Sequence, residues 1–495
     1  MSTNRTPFAT APLAVIAPVF ATGVVVADVC QQRVTLFVWT LVVAVSLLVG
    51  VVSERLRLGA VLLGVFALGG ANLALRNIDK PIPHEKSVKA TVEIASRGEL
   101  TAWGQMRADV RVVEWQDEEG ATYRSNKYLK ATYSADSLLP IGTRLRCRVR
   151  VRPMEQGRYA ELMQARNVEG YARIDGCRVV GINKTLRGRA AEMQAVAVER
   201  LGRLGLDDRE LTVAEAMTLG YRRGMSSALR ESYADTGASH LLAVSGLHVG
   251  IVFVLVNMLL WMLPAINYGH IAKNVLAVVL IWMFAFVSGL SPSAVRAAVM
   301  FSFVQMGFAL SREQNSLNTL CGAALLMLMI NPKYVFDISF QLSFAAVLGI
   351  VLWFPVLFGW LRSESRLLNG VWSAVIVGVC ATLAVLPLTA YAFGRVSVIG
   401  ILLSPLVVTL AHVTVLCGLL WCIVPWQAMS GVISGVLSMS VGWQNDIVTA
   451  TSRLPFSSVE WNPSREVVIL IYLILLALSV IMWRCAAKNP PKITF

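Results

Sequence analysis

Long apolar runs follow one another near 12–29, 34–52, 58–75, 271–290, 292–310, 316–331, 335–360, 371–391, 397–425 and 465–483. A bilayer core about 30 Å thick is crossed by about 20 helical residues. No water is available there to hydrogen-bond a peptide group, so a spanning segment is a helix or part of a closed barrel. These runs are continuous rather than alternating, and they predict helices. A further run begins at His240 and reaches Leu263. The stretch 431–450 is ambiguous, since Gln444, Asn445 and Asp446 suit an interfacial helix better than a span. The expectation is a polytopic α-helical membrane protein with about 10–11 transmembrane helices. A chain that is 56% hydrophobic and only 15% charged belongs to that class.

Loop charges orient the runs. Arg5 precedes the first run, and a second and third follow so closely that the first reads as an uncleaved helix. Glu54-Arg55-Leu56-Arg57 suits a cytoplasmic loop, and Arg33 weakens the count without reversing it. The N-terminus is then inside and the region after the third run outside. Arg362 and Arg366 fall in a later loop that the same alternation places in the cytoplasm. A net charge of +14 in such a chain first reflects cytoplasmic loops and lipid headgroups, and is not by itself a nucleic-acid signal. The eight cysteines include no CxxC pair and no metal-ligand spacing.

Residues 80–182 change character. Segments 88–94 and 106–113 alternate like half-buried strands, and 117–120 reads as a turn. Several short strands in so few residues predict a small β-barrel or sandwich. In 143–152, Arg144, Arg146, Arg148, Arg150 and Arg152 alternate with Leu145, Cys147, Val149 and Val151. Side-chain direction in a strand has period two, so five guanidiniums line one face at intervals of about 6.6 Å, near the phosphate spacing of a single strand. The alternatives are nucleic-acid contact and a solvated face paired with acids on neighbouring strands. Aromatic platforms for bases are sparse, with Trp103, Trp115, Tyr123, Tyr128, Tyr133 and Tyr159 as candidates. Cys147 faces the core of this domain. In an oxidising compartment the alternatives are a Cys147–Cys177 disulfide and two buried free thiols.

From 183 to 236 apolar residues recur at three- and four-residue steps with Arg187, Arg189, Arg200 and Arg203 beside them, which predicts amphipathic helix on the membrane surface or bracing the outer domain. Next comes 240–250, where His240, Ser245, Gly246, His248 and Gly250 interrupt an apolar run. Polar side chains at membrane depth mark a pathway or a site, and Gly246 with Gly250 forms a small-xxx-small pair that admits a close helix. Local backbone bonding by Ser245 and plain packing by His248 and the glycines is the structural alternative.

The string 240–250 resembles the signature of the ComEC competence-protein family, bacterial inner-membrane channels that import DNA. Further stretches resemble the family in order: 216–222, 291–298, 336–344, Leu386-Pro387-Leu388 and Phe393-Gly394-Arg395. The resemblance covers most of the chain after about residue 80. It implies an OB-like β domain outside the inner membrane and uptake of single-stranded DNA during natural transformation. It also implies partners: single-stranded DNA, membrane lipids, a cytosolic helicase-like ATPase or single-strand-binding proteins, an extracytoplasmic DNA receptor, and a separate nuclease. Many members carry a C-terminal metallo-β-lactamase-like domain with an HxHxDH cluster. None is found here, and the expected form lacks that domain. Ser404 stands where the family more often has asparagine.

Other polar residues lie within the apolar runs. Ser291-Pro292 is a helix start, which puts Arg296 one turn into the membrane, either reaching headgroups or facing an aqueous path. Asp337 and Gln341 share a helical face. Asp337 is then a counter-ion for Arg296 or Arg395, or a helix-start residue. Pro387 and Pro405 predict kinks or breaks, and broken helices at membrane depth line cavities. There is no GxxxxGK[ST] loop, and a Ser245–His248 hydrolase would lack a third partner. No catalytic set, cofactor or metal is expected. The organisation expected is 1–79 as three membrane helices, 80–182 as the β domain, 183–236 as connector, 237–485 as the channel domain and 486–495 as a basic tail. The alternatives in function are a transporter or envelope enzyme for another anionic polymer, and a scaffold for a nuclease on a separate chain.

Overall fold

The computed structural model describes residues 11–30, 34–76, 82–101, 104–134, 138–265, 269–310, 315–397, 399–424, 427–455 and 457–488. Trp103 and the end of the basic tail lie outside them. The chain divides into two compact units, Met1–Ala191 with Cys321–Asp337, and Glu192–Leu320 with Ile338–Phe495.

The first unit opens with helices α1 (Leu13–Val29), α2 (Leu36–Val52) and α3 (Arg57–Arg76). Their packing is set by glycine. A Cβ on Gly23 would overlap the Phe66 carbonyl, one on Gly69 would overlap the Phe20 carbonyl, and one on Gly70 would sit 2.7 Å from the Trp39 ring. The backbones of α1 and α3 therefore touch, as small residues permit in lipid. Gly69→Val is expected to cost about 3 kcal/mol through overpacking, read as a lowered thermal midpoint of the detergent-solubilised protein.

The β domain follows: β1 (Ser87–Ile94), β2 (Glu99–Leu100), β3 (Met106–Gln116), β4 (Thr122–Arg124), β5 (Tyr128–Tyr133), β6 (Thr143–Pro153), helix α4 (Arg158–Ala165) and β7 (Val168–Ile182). The pairings return on themselves: β1 pairs β3, β3 pairs β5, β5 pairs β7 in parallel, β7 pairs β6 and β6 pairs β1. Five strands thus form a closed ring around Val92, Val110, Leu129, Leu145, Val149 and Val151, all buried. Alternation creates that interior, because every second residue from Met106 to Val112 in β3, Leu129 to Tyr133 in β5 and Leu145 to Val151 in β6 is apolar and turned inward.

The second unit runs from α5 (Leu186–Gly202), which starts in the first, through α6 (Asp208–Leu219), α7 (Ser227–Asp235), α8 (Gly246–Leu259), α9 (Gly269–Val287), α10 (Pro292–Ala309) and α11 (Ser316–Ile330), which ends in the first. It continues through α12 (Ile338–Leu361), α13 (Arg366–Phe393), β8 (Arg395–Ser397), α14 (Ile399–Ile423), α15 (Ser430–Ser452), β9 (Ser458–Glu460) and α16 (Arg465–Lys488).

Among the described residues six helices are long and apolar enough to cross a bilayer: α3, α9, α12, α13, α14 and α16. The apolar helices α1, α2, α8 and α11 have only 14 to 17 residues. At 1.5 Å per residue they reach roughly 21–26 Å, short of the hydrocarbon thickness. The protein is a multi-pass membrane protein, with these four shorter apolar helices beside the six long ones.

Three local expectations change. α6 is not a surface helix: residues 213–219 are all buried, packed with α14 and α15. The ambiguous stretch is one helix, α15, whose Gln444 and Asn445 point inward, with Tyr233 Oη donating to Asn445 Oδ1 at 2.9 Å. Neither Pro387 nor Pro405 breaks its helix. Hydroxyl bonds to carbonyls one turn back continue around both prolines, from Thr389 to Val385, Ser404 to Gly400 and Thr409 to Pro405.

Candidate nucleic-acid interface and the convergent motifs

β6 lies between β1 and β7, and strand register places its arginines in a wider field. Lys89, Arg148 and Asp175 share one cross-strand row, Thr91, Arg146 and Arg178 another, and Ser87, Arg150 and Arg173 a third. Arg152 stands opposite Tyr171. Leu145, Cys147, Val149 and Val151 are buried, while Arg146, Arg148, Arg150 and Arg152 are exposed. The five arginines are not equivalent. Arg144 Nε lies 3.2 Å from Glu93 Oε2, and Glu93 also receives Arg111 at 3.1 Å and Asn183 at 3.1 Å. Arg144 is thereby committed to a cross-strand ion pair. Arg150 Nε donates to the Glu85 carbonyl at 3.2 Å. Among the described residues Arg146, Arg148 and Arg152 form no ion pair.

Glu93 is the buried charge that fixes this arrangement, its side chain 7% exposed. Glu93→Gln removes the anion shared by two guanidiniums. It is expected to cost about 2 kcal/mol, less than a fully buried pair because both arginines reach water. The shift in denaturation midpoint measures it.

Cys147 and Cys177 both stand as thiols. Burial, with Cys177 nearby, pushes the Cys147 thiol up to about 12, so it is protonated at neutral pH and a poor nucleophile.

In the second unit the signature is a helix start rather than the middle of a span. A 3₁₀ turn covers Ala238–His240, and α8 begins only at Gly246, with Ser245 at its N-cap position. His248 is fully buried, and its Nδ1 accepts the Ser245 backbone N–H at 3.3 Å. The histidine clamps the helix start, satisfying a backbone donor that would otherwise be orphaned. Gly250 gives room to Phe301 of α10, which stacks on Phe253 at 4.6 Å, whereas nothing lies within 4 Å of a Cβ at Gly246. The small-xxx-small reading therefore fails here.

The separate sequence strings meet at this helix start. Gly220 ends α6 in the left-handed region at φ 73°, and a Cβ there would lie 3.3 Å from Val244. Ser293 donates to the Val244 carbonyl. Gln194 Nε2 donates to the Leu219 carbonyl at 2.7 Å and to the Ser288 carbonyl at 3.3 Å. His240 Nδ1 lies 3.0 Å from the Gly237 carbonyl, and His240 lines a small cleft with Thr236, Gly400 and Ser404. That cleft joins His240 of the signature to Ser404 of α14.

Ser291 caps α10, accepting the Ala294 N–H at 3.4 Å, with Pro292 in the first turn. Arg296 is 5% exposed and does not reach outward: its guanidinium donates to Ser339 at 2.8 Å and to Ser343 at 3.0 and 3.2 Å. Asp337 immediately precedes α12 and takes Arg166 as an ion-pair partner at 3.3 Å, with Gln341 one turn further on. Arg395 pairs with Asp235 at 2.9 Å, beside Gly394, which ends α13 at φ 71°. Phe393-Gly394-Arg395 is thus a helix stop followed by a docking contact.

Lys89, Arg173, Arg178 and Tyr171 escaped the sequence reading because pairing of distant strands brings them to β6. The alternation Tyr171-Ala172-Arg173-Ile174-Asp175 was the available signal. Nothing local marks Arg166, Asp235, Ser339 or Ser343 as partners.

ComE operon protein 3 of Bacillus subtilis (strain 168) is 27% identical over 247 residues, 49% of this chain and 29% of that protein. An uncharacterized protein of Aquifex aeolicus (strain VF5) is 32% identical over 199 residues, 40% of this chain and 44% of the other. Recombination protein 2 of Haemophilus influenzae is 22% identical over 308 residues, 56% of this chain and 39% of that protein. The chain therefore spans less than half the length of each of these relatives. No solved structure matches it. The Competence protein family model aligns with residues 217–485, which takes in the convergent strings of the second unit. That alignment covers more than half of the sequence, and the chain belongs to the Competence protein family.

Proposed function

We propose that this protein carries DNA across the bacterial inner membrane as a single strand during natural transformation. The observation that carries the reading is the row of outward guanidiniums on β6, four of them in no ion pair among the described residues, widened by Lys89, Arg173 and Arg178. Backbone phosphate is the ligand such a row attracts, and OB-like folds carry single strands in this way. The ring order of the strands, with its one parallel pair, is consistent with an OB-like barrel. In this reading the β domain lies outside the membrane and captures phosphate. The helix start at Ser245, with Arg296 among its serines, borders the path inward. A helicase-like ATPase or single-strand-binding proteins supply the pull from the cytosol. A receptor outside delivers the DNA, and a separate chain supplies any nuclease.

The experiment is uptake of labelled DNA by a deletion strain complemented with wild type or with Arg146, Arg148 and Arg150 all changed to glutamate. DNA held outside the inner membrane in the variant, at normal protein level, supports capture. Normal uptake in the variant removes the capture step. Full uptake in the deletion strain itself moves the reading to transport of another anionic polymer.

A further inference from the structure

The outward surface that continues from β6 onto β7 and β5 carries an aromatic pair that the phosphate row does not explain. Tyr159, in the first turn of α4, is 50% exposed and Tyr171, on β7, is 46% exposed. Partial burial first, and the neighbouring Tyr159 next, raise the Tyr171 phenol above its usual range, which places the two side chains beside each other. Cations surround them. Lys130 Nζ lies 5.9 Å from the centroid of the Tyr159 ring. Lys130 stands opposite Tyr171 on the β5 side and Arg152 stands opposite it on the β6 side. Arg107, exposed on β3, adds positive charge near Tyr171. Large exposed rings gain nothing from water, and tyrosine is a common residue at sites where an apolar face meets a polar ligand. A ring flanked by cations suits a ligand that alternates flat apolar groups with anions. A single nucleic-acid strand is such a ligand, whereas duplex DNA hides its base faces.

We infer that Tyr159 and Tyr171 form a base-stacking platform at the end of the arginine row, and that this platform makes the β domain prefer single strands over phosphate polymers without accessible bases. Arg146, Arg148 and Arg150 hold successive phosphates, Arg152 delivers the strand to the tyrosines, and Lys130 neutralises the phosphate beyond them. This inference rests on the capture reading above and adds to it the recognition of bases.

The test measures binding of the full-length protein in detergent to two fluorescent strands of equal length and charge, oligothymidylate and an abasic phosphodiester. Wild type is expected to bind oligothymidylate roughly tenfold or more tightly than the abasic strand, the scale of one stacked base. Y159A/Y171A is expected to bind oligothymidylate as weakly as the abasic strand, with abasic binding unchanged. Y159F/Y171F removes both hydroxyls but keeps both rings, and is expected to retain at least half of the preference on a logarithmic scale. That rescue separates stacking from misfolding. Equal binding of the two strands by wild type, or an undiminished preference in the alanine variant, overturns the platform and leaves phosphate capture standing. Failure of wild type to bind either strand overturns capture and the platform together.

Discussion

Changing Arg146, Arg148 and Arg150 together to alanine is expected to weaken single-strand binding roughly 50-fold at 0.15 M salt, from counterion release alone. Each phosphate contact on a single strand contributes about −0.7 to the slope of log K against log salt, so three contacts contribute about −2. Taking 1 M salt as the point where the electrostatic part vanishes, that slope corresponds to the stated loss at 0.15 M. The salt titration is the better measurement, because it separates charge from shape. The variant's slope becomes shallower by about 2, and the two proteins converge in affinity near 1 M. An unchanged slope would mean that phosphates do not lie on this row. Folding is not the concern, since all three side chains are exposed and surface changes away from ion pairs usually fall within about 0.5 kcal/mol. Arg144 is left in place because its guanidinium belongs to Glu93. Changing it would mix a folding effect into the binding one.

Arg296→Met is expected to reduce DNA delivery to the cytoplasm by about tenfold or more, with folded protein recovered at wild-type yield. A cation at membrane depth is costly and is kept where it serves a pathway. Methionine fills much of the same space without the charge. The Ser343 hydroxyl it leaves is not orphaned, because it already bonds the Ser339 carbonyl one turn back at 3.0 Å. Arg296→Lys sharpens the result. Lysine keeps the charge but not the planar fork that reaches both serines. Restored delivery with lysine would make charge the requirement, and failure with normal folding would make the fork the requirement. Normal delivery in the methionine variant would reduce Arg296 to a helix-packing residue. The readout is labelled DNA protected inside spheroplasts.

The β6 face shows how far sequence reasoning reaches. Alternation alone placed Arg144 to Arg152 outward and Leu145 to Val151 inward, because side-chain direction in a strand is local geometry. It could not separate Arg144 from Arg146. What separates them is Glu93, 51 residues earlier, which strand pairing lays beside one arginine and not the other. The signature helix shows the opposite limit. Apolarity from His240 to Leu263 reads as one span, but Ser245 and His248 close a cap and the helix begins at Gly246. A hydropathy pattern counts side chains and cannot see where the backbone turns.

What the sequence by itself determined is therefore what short-range physics controls: helices from continuous apolar runs, strands from period two, the Ser291-Pro292 helix start and the family resemblance in 240–250. Only the tertiary structure decided the partners. It gave Asp337 to Arg166, Arg395 to Asp235 and Arg296 to two serines, and it set Tyr171 beside Arg152. Those choices depend on strand register and helix packing between residues far apart in the chain, where an ion pair or a stacked ring is one of many that the same composition would allow.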